Sequence, residues 1–237
     1  MIISNKHKFI YFSNGKVAST SLNKLLSLFH DSELNGLSIE NLFGYSHVPP
    51  AIIKSFYKKN EWDNFFKFSF VRNPYDWIIS CYLYKYRLMY RVWLKKCITH
   101  PFFLFHLVRR YRSYVLNSRK TVFDLQDIID IKERLKTSRA MYFEDSLFQC
   151  NYTHDLDGKT LVNYFGKFEM LNEDLIKVSK EIGIKFDRLP YMNRNRKDIT
   201  YSLTPESIDY IYDFWQKDFD LLEYGKELPQ NISRSKI

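Results

Sequence analysis

A lysine and three hydroxyl side chains follow a short hydrophobic run near the beginning of the chain. Phe9–Phe12 are all apolar or aromatic, and Gly15-Lys16 comes shortly after them. The hydroxyls of Ser19, Thr20 and Ser21 lie three to five positions after that lysine. A buried strand, a tight turn and the first turn of a helix produce this order, and a helix N-terminus binds anions through its backbone N–H groups and its dipole. The stretch therefore predicts a phosphate-binding loop.

This loop differs from the magnesium-nucleotide loop of kinases and NTPases. That motif needs a glycine, four residues, and then Gly-Lys followed directly by Ser or Thr. Here Ile10 stands five positions before Gly15, and Val17 follows Lys16. The anion site is kept, but the hydroxyl that would bind magnesium is missing from its place. We therefore expect a nucleotide whose reactive group needs no metal, and the three cysteines and six histidines show no zinc-ligand spacing.

A second cationic motif follows the largely hydrophobic segment of residues 65–71. The sequence "FVRNPYDWIIS" contains Arg72, Asn73 and Pro74, and Ser80 lies eight residues after the arginine. Proline is favoured in the first turn of a helix. The pattern predicts another junction between a strand and a helix, with an arginine placed at the end of the strand.

Together the two motifs resemble those of sulfotransferases that use 3′-phosphoadenosine 5′-phosphosulfate (PAPS). "GKVASTSL" resembles the 5′-phosphosulfate loop of the carbohydrate sulfotransferases, and "RNP" with Ser80 resembles the 3′-phosphate signature. The segments "YFGKFEMLNEDL" and "LPYMNRNRK" are similar to later parts of the family, so the resemblance covers most of the chain. The similarity is greatest to the uronosyl 2-O-sulfotransferase and HNK-1-type group, in a bacterial-like member. One departure is Asn14-Gly15, where the family usually has a proline before the lysine.

The resemblance implies a role for each motif residue. Lys16 would neutralise the leaving phosphate oxygen as sulfuryl transfer proceeds by in-line displacement. Arg72 and Ser80 would bind the 3′-phosphate of the nucleotide. The 5′-phosphate would be bound by backbone N–H groups and hydroxyls of Val17, Ala18, Ser19, Thr20 and Ser21. The segment Asn193–Lys197, with Arg194, Arg196 and Lys197, either closes over the 3′-phosphate or forms a solvated surface loop.

The acceptor hydroxyl needs a base, for which His47 is the first hypothesis. It lies in "GYSHVPP", between the two nucleotide motifs, and this segment resembles the Gly-His-Val segment that carries the catalytic histidine of uronosyl 2-O-sulfotransferases. An imidazole with an ordinary pKa near 6.5 is largely neutral at physiological pH and accepts a proton. Glu40, Glu61 and Asp63 are the alternatives, because other relatives use a glutamate.

A basic, aromatic segment spans residues 85–120. It contains ten Lys or Arg, no Asp or Glu, and eight aromatic residues, within a chain of net charge +9. Such a field attracts polyanions or an anionic bilayer surface. The alternative is a pair of amphipathic helices with solvated basic faces. We expect a glycan or lipid-linked saccharide acceptor, peripheral membrane contact through this segment, and no nucleic acid.

The 237 residues predict one α/β domain with a mostly parallel sheet flanked by helices, as in P-loop folds, and a helical insertion at about 85–122. Strands are expected at 8–13, 65–71 and within 161–171. Helices are expected at about 18–30, from Pro74 onward, at 173–182 with Asn172 as cap, and after Thr204. The scattered cysteines, and the lack of a signal sequence or an apolar span, indicate a cytoplasmic protein, either free or peripheral at the inner membrane face.

The sequence is compatible with three functions. The first is a PAPS-dependent sulfotransferase that acts on a glycan or glycolipid hydroxyl. The second is a P-loop kinase of a small hydroxylated substrate, against which the incomplete magnesium-nucleotide motif counts. The third is a non-catalytic binder of polyanions or membranes, against which the intact Lys16, Arg72 and Ser80 count.

Overall fold

The computed structural model describes residues 1–31, 47–99, 116–137, 147–186 and 199–235, with the backbone alone for 87–99. They form a mixed α/β structure of two compact units. The first unit comprises Met1–Pro74, Arg134–Lys197 and Trp215–Lys226, and the second comprises Tyr75–Glu133, Asp198–Phe214 and Glu227–Ile237. The single-domain organisation with an insertion at 85–122 stays a prediction.

Within the described residues, strands and helices alternate along most of the chain. In chain order they are β1 (Ile2–Ser4), β2 (Phe9–Phe12), α1 (Ser19–Leu26), α2 (Pro50–Lys54), α3 (Lys59–Asp63), β3 (Phe66–Val71), α4 (Pro74–Thr99), β4 (Val122–Phe123), α5 (Leu125–Thr137), β5 (Tyr164–Lys167), α6 (Leu171–Glu181), β6 (Tyr201–Leu203), α7 (Pro205–Phe214), α8 (Gln216–Leu221) and β7 (Ile232–Arg234). Short 3₁₀ turns occupy Ser27–Phe29, Gln149–Tyr152 and Phe168–Met170.

The first unit is built on a four-stranded sheet in the order β1-β2-β3-β5. β1 pairs with β2 in antiparallel orientation, while β2, β3 and β5 are parallel. All four residues of β2 are fully buried, which explains why that strand is a continuous apolar run. Since β2 and β3 are parallel neighbours, their carboxyl ends lie at the same edge of the sheet, and both predicted nucleotide motifs begin there.

The second unit contains a three-stranded parallel sheet in the order β4-β6-β7. Helix α7 follows β6 directly. Thr204 accepts a hydrogen bond at Oγ1 from the Ser207 N–H (3.3 Å), and Pro205 occupies the first helical position. This arrangement confirms the predicted N-cap.

Most of the predicted elements are confirmed, including β2, α1, β3 and the helix that starts at Pro74. One capping prediction is wrong: α6 begins at Leu171 with Met170 as its N-cap, so Asn172 lies inside the first turn. The 3₁₀ turn Phe168–Met170 carries the chain straight into α6, which moves the helix start forward. Glu40, Asn193–Lys197, Arg109 and Arg110 lie outside the described residues.

Candidate functional site

The loop between β2 and α1 has an unusual backbone. Lys16 (φ 65°) and Ala18 (φ 59°) adopt the left-handed conformation, whereas Val17 between them does not. Alternating backbone handedness turns successive N–H groups toward a common point and forms an anion-binding concavity. The left-handed conformation is unfavourable for residues with a side chain, and such strain concentrates at functional sites. The Val17 side chain is fully buried and anchors the loop on the core.

Helix α1 begins with an open N-terminus. The Ala18 carbonyl accepts hydrogen bonds from the N–H groups of Ser21 (2.9 Å) and Leu22 (3.0 Å). Among the described residues no side chain caps this helix, and its first turn contains no acidic residue. A phosphate would meet the remaining N–H groups together with the hydroxyls of Ser19 and Thr20. The loop therefore has the donor set that an anionic group requires.

Arg72 lies just beyond the end of β3 and contacts this loop. Its Nη1 donates to the backbone carbonyl of Lys16 (3.2 Å), and its guanidinium carbon lies 4.2 Å from the ring centroid of Phe168. The side-chain amide of Gln149 binds the Arg72 backbone twice, accepting from its N–H (2.9 Å) and donating to its carbonyl (2.8 Å). The structure thus brings the two predicted motifs together through Arg72 and Lys16.

Glu169 holds the residue that follows Arg72. Its Oε1 accepts from the Asn73 N–H (2.8 Å), and its Oε2 accepts from the Tyr224 hydroxyl (2.8 Å). Burial and the Glu169 carboxylate raise the pKa of that hydroxyl well above its ordinary range, so Tyr224 remains a donor. The end of β3 is therefore fixed by side chains from distant parts of the chain.

His47 lies beside the anion-binding loop. Its Nδ1 is 2.7 Å from the carbonyl oxygen of Ser13, the residue that follows β2. A carbonyl can only accept, so Nδ1 carries the proton and the neutral ring has its lone pair on Nε2. Burial lowers the pKa of His47, the Ser13 carbonyl partly offsets this, and the positive charges of the N-terminus and Lys16 lower it further. A neutral imidazole therefore lies beside the anion-binding loop, with Nε2 as its basic nitrogen.

The other predicted site residues occupy different positions. Ser80 lies in α4, in the second unit, and its side chain is buried. Glu61 accepts from the Lys58 N–H (2.9 Å) and so caps α3, at whose last position Asp63 lies. Ser21 in α1 is buried, and Thr20 is exposed.

Three residues that contact Arg72 or its neighbour belong to neither of the two nucleotide motifs. Gln149, Phe168 and Glu169 contact it or its neighbour from positions at least 77 residues away. No local pattern indicates such contacts. The only available signal was the segment "YFGKFEMLNEDL", which contains two of the three.

Comparison with known proteins agrees with this geometry. A family model described as the sulfotransferase family matches residues 1–225 of the chain. No protein of curated function and no solved structure matches it significantly. The match spans both motifs and the residues that hold Arg72. The chain therefore belongs to the sulfotransferase family, whose members transfer a sulfuryl group to an acceptor substrate.

Proposed function

We propose that this protein transfers a sulfuryl group from PAPS to a hydroxyl of a glycan or glycolipid. The proposal rests on the loop in which Lys16 and Ala18 have a left-handed backbone. The Nη1 of Arg72 donates a hydrogen bond to the Lys16 carbonyl of this loop. PAPS supplies the sulfuryl group together with a phosphate leaving group and a 3′-phosphate for recognition. A loop of this backbone conformation, together with two cationic side chains, suits a ligand with two phosphates.

The chain's own residues divide the work in this proposal. The loop amides and the hydroxyls of residues 19–21 bind the 5′-phosphate, and Lys16 stabilises the charge that develops on its leaving oxygen. Arg72 binds the 3′-phosphate, together with Ser80 from the family signature. Arg194, Arg196 and Lys197 are proposed to close over the same phosphate. No metal takes part.

His47 is proposed as the base that removes the proton of the acceptor hydroxyl. Its support is the hydrogen bond to Ser13, which puts the proton on Nδ1 and the lone pair on Nε2, and the lowered pKa, which keeps the ring neutral. Catalysis of this type of transfer comes mostly from the positioning of the reacting groups and from electrostatic stabilisation of the charge that develops. Glu40, Glu61 and Asp63 remain alternatives, although the Glu61 carboxylate caps a helix.

The finer assignments rest on the resemblance rather than on contacts. We propose membership of the uronosyl 2-O-sulfotransferase and HNK-1-type group, a single domain with a helical insertion at about 85–122, and a cytoplasmic location with peripheral contact at the inner membrane face. In the described part of the chain, no helix is long and apolar enough to cross a bilayer.

One ligand-binding experiment separates the three candidate functions. Thermal unfolding is followed with PAP (3′-phosphoadenosine 5′-phosphate, the nucleotide that PAPS leaves after transfer), with ATP plus magnesium, and with a heparin-like polymer. A ligand at about one hundred times its Kd stabilises the folded state by roughly 2.7 kcal/mol, which is a clear shift of Tm. We expect PAP to give this shift, also in excess EDTA. A shift with ATP that requires magnesium would favour the kinase, and a shift with the polymer alone would favour the non-catalytic binder.

The basic segment 85–120 is tested by reversing its charges. We expect the change of Lys95, Lys96, Arg109 and Arg110 to glutamate to weaken acceptor or liposome binding most at low salt, because surface charges are screened as ionic strength rises. PAP affinity should be nearly unchanged. If the charge-reversed variant binds acceptor and liposomes at low salt as well as the wild type does, the segment has no binding role. Amphipathic helices with solvated basic faces are then the favoured interpretation.

A further inference from the structure

Side chains from distant parts of the chain hold the peptide that joins Arg72 to Asn73. β3 ends at Val71, so this peptide lies beyond the strand. Its carbonyl accepts from Gln149 Nε2 (2.8 Å), and its N–H donates to Glu169 Oε1 (2.8 Å). The Arg72 N–H, one peptide earlier, donates to Gln149 Oε1 (2.9 Å). Two side chains thus bind three successive backbone groups around the arginine that contacts the anion-binding loop.

Both side chains are themselves held in place. Gln149 is fully buried, and Asp218 accepts from the N–H groups of Gln149 (3.0 Å) and Cys150 (2.8 Å). Glu169 is exposed, but the Tyr224 hydroxyl donates to its second oxygen. The support of Arg72 therefore has a buried half around Gln149 and a surface half around Glu169, and only the surface half tolerates substitution without loss of core packing.

We propose that Glu169 is a positioning residue of the nucleotide site: it holds Asn73 and thereby sets the direction in which the Arg72 guanidinium leaves the end of β3. The inference rests on the proposed function, in which Arg72 binds a phosphate of the nucleotide. Guanidinium–phosphate pairs depend on the orientation of the planar group, so a small rotation of the Arg72 backbone weakens them. Phe168, the residue before Glu169, packs against the same guanidinium and links the two contacts.

The charge of Glu169 makes the proposal easy to refute. A carboxylate close to a bound phosphate repels it, so an acid with no positioning role would weaken nucleotide binding. Removing such an acid would tighten binding. A positioning role predicts the opposite sign, and the two explanations are separated by the direction of one change in Kd.

The experiment measures PAP binding by calorimetry in the whole chain. We expect Glu169→Ala to raise the Kd for PAP about two- to tenfold, the range that a net hydrogen bond corresponds to. Glu169→Gln should restore most of the affinity, because its amide oxygen can still accept from the Asn73 N–H. The matched control is Glu173→Ala, which removes an exposed negative charge in the first turn of α6 and should not weaken PAP binding. Tighter PAP binding in both Glu169 variants would overturn the proposal.

A double-mutant cycle tests whether the effect passes through Arg72. In an Arg72→Ala background, Glu169→Ala should change the Kd no further, whereas in a Lys16→Ala background it should keep its full effect. A full effect without Arg72 would overturn the positioning role. If Arg72→Ala itself leaves PAP affinity unchanged, the proposed phosphate contact of Arg72 fails instead. If Arg72→Ala weakens binding but Glu169→Ala does not, only the present inference fails.

Discussion

Replacing His47 by asparagine removes a proton acceptor while keeping a hydrogen-bond donor in the same place. The amide nitrogen of asparagine reaches the position of the imidazole Nδ1, which lies 2.7 Å from the Ser13 carbonyl. It can therefore still donate to that carbonyl, but nothing replaces the basic Nε2. A positioned general base contributes about 10²- to 10⁴-fold to a rate. We expect His47→Asn to lower kcat by that factor, with PAP affinity and Tm close to those of the wild type.

Alanine at the same position serves as a matched comparison. His47→Ala loses the bond to Ser13 as well as the base, and a net hydrogen bond is worth about 0.5–1.5 kcal/mol. In a chain of this size 1 kcal/mol corresponds to about 2–4 °C in Tm. The alanine variant should thus be as slow as the asparagine variant but less stable. The assay is the initial rate of sulfuryl transfer to the acceptor, with melting followed in parallel.

The pH dependence gives the sign of the effect. Because the pKa of His47 lies below its ordinary value of 6.5, the ring stays neutral at pH 7 and is protonated only in more acidic solution. The kcat of the wild type should fall as the pH decreases below 6.5, the ordinary pKa of histidine. This dependence on pH should be absent in His47→Asn. The free energy of unfolding should change with the same sign. The pKa of His47 is lower in the folded than in the unfolded state, so the folded state loses stability as pH falls from the unfolded toward the folded pKa. A kcat that survives His47→Asn would refute the base and leave the role to Glu40, Glu61 or Asp63.

Three further predictions concern the loop, its neighbours and a buried acid. Lys16→Ala should lower kcat far more than it weakens PAP binding, and Arg72→Ala should mainly raise the apparent KM for PAPS. If both variants lose only affinity for the nucleotide, these roles are wrong. Gly15→Ala should stabilise the chain by about 0.4–1 kcal/mol, because a Cβ there meets no atom within 4 Å and φ is not positive. Gly166→Ala is the control that should destabilise, since its Cβ would come within 3 Å of the Phe70 ring. Burial raises the pKa of Asp218 from 3.8 to about 6, so the stability of the wild type relative to Asp218→Asn should fall by roughly 2.5 kcal/mol as pH rises from 4 to 7, and a constant difference in urea unfolding would refute it.

The local motifs of this protein were legible in its sequence. Phe9–Phe12 is a continuous apolar run and the segment 65–71 is apolar except for Lys67 and Ser69, as expected for largely buried strands, and each is followed within a few residues by a cation and a helix start. Strand, turn and helix are contiguous there, so spacing alone predicts them. The same holds for Pro74 and for Thr204-Pro205, where the side-chain chemistry of a single turn sets the helix boundary.

Other features depend on contacts that no local pattern encodes. The strands β4, β6 and β7 are two or three residues long, too short for a periodic signal, and they exist because they pair with one another. The misplaced cap at Asn172 has the same origin, since a preceding 3₁₀ turn starts the helix earlier.

The chemistry of the site shows the same division. The sequence alone determined which residues carry charge and hydroxyls, namely Lys16, the three hydroxyls after it, and Arg72. Only the tertiary structure decided that Lys16 takes a left-handed backbone and that the Ser13 carbonyl selects the tautomer of His47. It also decided that Glu169, 96 residues away in the chain, holds the peptide after Arg72. Residue type and spacing fix the available donors, whereas their direction depends on bonds between segments that meet only after the chain has folded.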